Sequence, residues 1–99
     1  MKKMMKQAQM MQRNLNAVQQ EIQLLEHTAD AGGGMVSATV NGKMELANLE
    51  IKKEACDPED VEMLQDMVMA AVNEALRGMH AISEEKMSAV TGGLNIPGL

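Results

Sequence analysis

Between Lys2 and Thr28 the apolar residues Met4, Ala8, Met11, Leu15, Val18, Ile22 and Leu25 follow one another in alternating steps of four and three, and Ala29 extends the series. Such a heptad seam, in a segment without Gly or Pro and rich in Gln, Lys, Met, Leu and Glu, predicts one continuous helix over 2–29. About 27 helical residues reach about 40 Å, whereas a compact domain of about 100 residues has a radius of gyration near 13 Å. The helix is therefore expected to project.

The period then changes. Val36, Ala38 and Val40 alternate with Met35, Ser37 and Thr39, as in a half-buried strand. Asn41-Gly42 is the favoured pair for a two-residue type I′ hairpin turn. In the returning segment, Lys43 to Lys53, Met44 and Leu46 fall in one phase and Leu49 and Ile51 in the other. That phase change at Ala47-Asn48 predicts a bulge or a break into a third short strand. The sheet is expected over 34–53, with Gly32-Gly33-Gly34 before it acting as a helix stop and joint.

A second helix is predicted over 58–91. Asp57 would cap it, Pro58 would take its first position, and Glu59 and Asp60 would complement the dipole. Val61, Leu64, Val68, Ala71, Ala75, Ile82 and Ala89 form its stripe. Gly78 stands where the next apolar residue is due, which points to close backbone approach. Thr91-Gly92-Gly93 ends the helix, leaving a short tail over 92–99. The fold class is thus α+β: one domain over 1–99, with two long helices flanking a central antiparallel β-hairpin or three-stranded sheet. The helices would run antiparallel, and the uncovered sheet and helix bases would be closed by a symmetric partner, giving a homodimer with projecting helical arms.

Composition narrows the function. The 99 residues include no Phe, Tyr or Trp but twelve Met. The stacking platforms of RRM and cold-shock modules are therefore missing, and any core must be built from adaptable aliphatic and thioether side chains. Cys56 is alone, which rules out an internal disulfide framework, and no apolar run approaches the length needed to span a bilayer. A cytoplasmic protein is expected. Charge is segregated: residues 1–20 carry +4 from Lys2, Lys3, Lys6 and Arg13 without a single acid, whereas 57–99 carry −6. In antiparallel arms the basic end lies at the tip, where Lys86 from the second helix joins it. A basic tip of this kind suits sequence-independent phosphate contacts.

Catalysis has no candidate constellation. His27 and His80 have no Ser, Cys or paired acid in a recognisable order, and His27 is expected at the end of the first helix. Asp57-Pro58-Glu59-Asp60 reads as a cap and lacks EF-hand or zinc spacing. No enzyme activity, cofactor, metal or small-molecule substrate is expected.

Several segments occur in an order that resembles the YbaB/EbfC family of bacterial nucleoid-associated proteins over nearly the whole chain. They are Met5-Lys6-Gln7-Ala8-Gln9 with Met11-Gln12, Gly32-Gly33-Gly34-Met35-Val36, Val40-Asn41-Gly42-Lys43, Leu49-Glu50-Ile51, Glu85-Lys86-Met87 and Thr91-Gly92-Gly93-Leu94. The resemblance implies a homodimer joined through its sheet region, with arms projecting like tweezers, that binds double-stranded DNA in the nucleoid. Carried onto this chain, it makes Lys2, Lys3, Lys6 and Arg13 the expected DNA-binding residues, with Lys86 a further one. The alternative is a protein-interaction or assembly module whose Met-rich faces dock another protein, DNA binding being incidental.

Overall fold

The structure is a computed structural model that describes residues 2–90, with side chains from Lys3 onward. Helix α1 (Lys2–Gln23) leads into a three-stranded antiparallel sheet of β1 (Glu26–Ala31), β2 (Val36–Asn41) and β3 (Leu46–Ile51). A single 3-10 turn (Lys53–Ala55) then precedes the long helix α2 (Val61–Val90). The α+β class with two helices and a three-stranded sheet is as expected from the sequence. The tail expected over 92–99 lies outside the described residues.

Two boundaries differ from the sequence reading, both for identifiable reasons. The first helix ends at Gln23 rather than near residue 29, and the segment after it is β1. Leu25 and Ala29 satisfy both a heptad and a two-residue period, so the seam looked continuous. Pairing decides the matter: β1 lies in register with β2 from Glu26 opposite Asn41 to Ala31 opposite Val36. On the outer face the hydroxyls of Thr28 and Thr39 lie 2.7 Å apart, a cross-strand hydrogen bond. Gly32, Gly33 and Gly34, with φ of 63°, 67° and 92°, form the reversal between β1 and β2. They are a hairpin turn rather than a helix stop. His27 accordingly belongs to β1, not to a helix end.

The second helix begins three residues after the sequence reading put it. Asp57 does cap, but it caps a local turn: its Oδ1 accepts from the Glu59 N–H at 2.9 Å and its carbonyl from the Asp60 N–H at 3.0 Å. Asp60 caps α2 itself, its Oδ1 accepting from the Met63 N–H at 3.2 Å.

The turn between β2 and β3 is where Asn41-Gly42 announced it but not of the expected type. The Met44 N–H donates to the Asn41 carbonyl at 2.9 Å. The left-handed residue is Met44, with φ 62°, and not Gly42. Asn41 holds the loop through its side chain, whose Oδ1 accepts from the N–H groups of Lys43 at 2.9 Å and Glu45 at 3.1 Å. Gly42 is required for space. A Cβ there would run into the Ile22 carbonyl at the end of α1, and the Gly42 N–H donates to the Leu25 carbonyl at 3.0 Å. The expected bulge in β3 is present: Val40 pairs with Leu46 and Thr39 with Asn48, leaving Ala47 as the extra residue.

One sheet face packs on α2. Val36, Ala38 and Val40 from β2 and Ala71, Ala75 and Met79 from α2 are fully buried together. Helix α2 runs antiparallel to β1, because His27 at one end of the strand lies over Gly78, and Gly32 just past the other end lies against Met67. Gly78 thus serves close approach, as its position in the stripe suggested; the group that approaches is the His27 ring. The stripe passes through Met79 because a helix on a sheet follows the 3.6-residue period and drifts off a strict heptad.

Helix α1 leaves this body. Ile22 is buried and Val18, Leu15 and Met11 are half-buried, whereas every side chain from Lys3 to Met10 is exposed. The base of α1 packs on the C-terminal half of α2, where Lys86 Nζ lies 3.6 Å from Glu21 Oε1. The radius of gyration is 18.9 Å and the long axis 69 Å, well above the roughly 13 Å radius of a compact chain of this length.

Candidate nucleic-acid interface

The heptad that directs α1 inward also decides what it shows outward. Met11, Leu15, Val18 and Ile22 lie on the side of α1 that meets α2. Lys3, Lys6, Met10 and Arg13, spaced by three, four and three, share a different, exposed face. Lys3, Lys6 and Arg13 are exposed, and none of them is ion-paired among the described residues. The first acid along the chain is Glu21. Lys2 begins α1, and its side chain lies outside the described residues.

Lys86 is placed differently. It is half-buried at the joint of the two helices and bridged to Glu21; Lys6 is fifteen residues before Glu21, or about 22 Å away along α1. The structure thus gathers Lys3, Lys6 and Arg13 on one face and sets Lys86 apart from them. Arg77 Nη2 is bound to Glu74 Oε2 at 2.7 Å on α2. Sequence reasoning missed both Glu21 as the partner of Lys86 and Met10 as the apolar member of the basic row. The three-four-three spacing was the available signal for the second.

A second exposed surface flanks the core. Ile51, Leu49 and Leu46 pair with Val36, Ala38 and Val40 and so lie on the sheet face that carries α2. Helix α2 does not reach over them, and all three are exposed. With Leu64, Val68 and Met69 of α2, Ile51 lines an open apolar groove whose only polar lining residue is Gln65. Strand β3 has one strand neighbour, β2, so its far edge has no partner strand among the described residues. Cys56 is exposed nearby in sequence, its thiol directed at the Lys52 carbonyl at 3.7 Å.

Among the described residues no group of three or more His, Cys, Asp or Glu is arranged to hold a metal ion. No helix of the described residues is long and apolar enough to cross a membrane.

The model of the YbaB/EbfC DNA-binding family matches residues 1–94. The chain belongs to this family. Among its relatives, a nucleoid-associated protein of Alkaliphilus metalliredigens is 52% identical over 99 residues, all of this chain and 87% of that protein. Nucleoid-associated proteins of Clostridium acetobutylicum and Pelotomaculum thermopropionicum are each 50% identical over all of this chain, covering 88% and 94% of their own lengths. The crystal structure of an uncharacterised Helicobacter pylori protein superposes with a TM-score of 0.65 at 28% identity, covering 79% of this chain and 90% of that one. The YbaB/EbfC arm described above therefore belongs to a DNA-binding family, and its exposed basic row is the candidate interface.

Proposed function

We propose that this chain is a nucleoid-associated protein of the cytoplasm that binds double-stranded DNA as a homodimer, mainly through phosphate contacts from its basic arm tips. The observation that carries this reading is the row Lys3, Lys6 and Arg13, exposed and without an ion-pair partner among the described residues, on an arm with no acid before Glu21. Lys2 extends the cluster in sequence. Such contacts act through charge and need no base readout. Lys86 stands apart from this row, bridged to Glu21 where α1 meets α2. The names of relatives in three bacteria support the nucleoid as the location.

Two observations support the dimer. The exposed edge of β3 and the apolar groove of Ile51, Leu64, Val68 and Met69 are both features that association covers. Joining two copies there would carry two basic tips on one particle.

The test is a titration of size-defined protein into fluorescent duplexes of several sequences across a salt series. With four to six phosphates neutralised, log K falls against log salt with a slope of about −4 to −5, with little difference among sequences. The double substitution Lys3→Glu/Lys6→Glu should abolish binding while leaving the oligomer and its melting temperature unchanged; unchanged affinity would refute the arm-tip interface. The other reading, a protein-docking module, draws on the exposed Val61, Met63 and Met69. It would gain from a protein partner retained at high salt together with no shift of any duplex.

A further inference from the structure

The basic row of α1 has an apolar residue at its centre. Met10 lies one turn from Lys6 on one side and one turn from Arg13 on the other, on the same face, and its side chain is 61% exposed. The seam residue that follows it, Met11, is half-buried on the inward side, so Met10 serves no packing role for α1 against α2. Lys6 and Arg13 are seven residues apart, about 10 Å along the helix.

That spacing can be compared with duplex DNA. The minor groove is about 6 Å wide between its phosphate walls, and proteins that bend the duplex from it commonly insert apolar side chains, methionine among them, at a base step. A helix laid across the groove with Met10 over its floor holds one cation toward each wall. The flexible thioether adapts its shape to the step it enters.

We propose that Met10 is a minor-groove wedge, flanked by Lys6 and Arg13 as phosphate clamps, and that the arm bends the DNA it binds. This rests on the DNA-binding reading above and adds to it a salt-independent, apolar component and a distortion of the duplex. Charge places the arm on the duplex; burial of the Met10 side chain drives the insertion.

The experiment compares the unaltered protein with Met10→Ala and Met10→Leu on a duplex labelled at both ends for energy transfer, across a salt series. The exposed position leaves the fold intact, which circular dichroism checks. Met10→Ala is expected to weaken binding about tenfold at every salt concentration, with an unchanged salt slope and a smaller bend, and Met10→Leu to restore both. If Met10→Ala matches the unaltered protein in affinity and bend while binding keeps its steep salt dependence, the wedge is overturned and the phosphate interface stands. If the unaltered protein binds no duplex even at low salt, the DNA reading itself falls and the wedge with it.

Discussion

In the body of the molecule, Val36, Ala38, Val40, Ala71, Ala75 and Met79 are wholly removed from water, whereas along the outer half of α1 every side chain from Lys3 to Met10 remains exposed. Two methionines make the contrast concrete. Met79 is fully buried beneath the sheet, and Met10 is 61% exposed among cations. The same residue type fills a core in one place and stands on the surface in the other. What differs is the surroundings: α2 faces a strand of small and β-branched residues, and the outer face of α1 stays exposed among the described residues. The body is where stability resides, and the arm is where charge is displayed with little cost to the fold.

Substitutions can sharpen this division. The largest effect should come from Gly42→Ala. The new Cβ would meet the backbone carbonyl of Ile22, which cannot move without shifting the end of α1. A loss of about 3 kcal/mol or more is expected, read as an early denaturation midpoint. Met79→Ala removes the largest fully buried side chain; chemical denaturation should show a loss of about 3 kcal/mol, with unaltered salt dependence for whatever native protein remains.

Gly78→Ala is the informative counterpart to Gly42→Ala. Its Cβ would meet the His27 ring, a side chain that can rotate, rather than backbone. The gain in helix propensity of about 1 kcal/mol offsets much of that displacement. The melting temperature should therefore move far less than in Gly42→Ala, and an equal loss would show that His27 is held as rigidly as a backbone. The smallest effect is expected for Lys86→Met, which breaks the bridge to Glu21 where both side chains retain solvent contact. The cost should be at most about 0.5 kcal/mol, measured by thermal melting at low and high salt. A large loss would mean that the arm depends on charge rather than on Ile22 and Val18 for its attachment.

Much of this organisation was legible in the residues. The alternation through Val36, Ala38 and Val40 identified the buried strand, the phase change at Ala47 identified the bulge, and the vacancy at Gly78 identified a close approach. The three-to-four spacing placed the inward seam of α1 from Met11 to Ile22, while Met4 and Ala8, in the same series, stay exposed. The candidate site was legible as a cluster of cations, and as a resemblance to the family to which the chain belongs. Other features were hidden for physical reasons. Leu25 and Ala29 fit two periods at once, so the end of α1 depended on β2 being available to pair. Asn41 was a turn signal of the right place and wrong type, because its side chain, and not a positive φ at Gly42, closes the loop. The charge pattern alone makes Lys86 a tip residue, whereas its bridge to Glu21 holds it at the joint of the two helices.

The sequence by itself determined the local periods and the segregation of charge, since each depends on residues close along the chain. Only the tertiary structure decided where α1 stops, which glycine meets backbone and which meets a side chain, that β3 keeps an uncovered apolar face, and that Lys3, Lys6, Met10 and Arg13 stay exposed. Those outcomes depend on contacts between segments far apart in sequence, and a periodic pattern does not specify which of two compatible partners a segment will bury itself against.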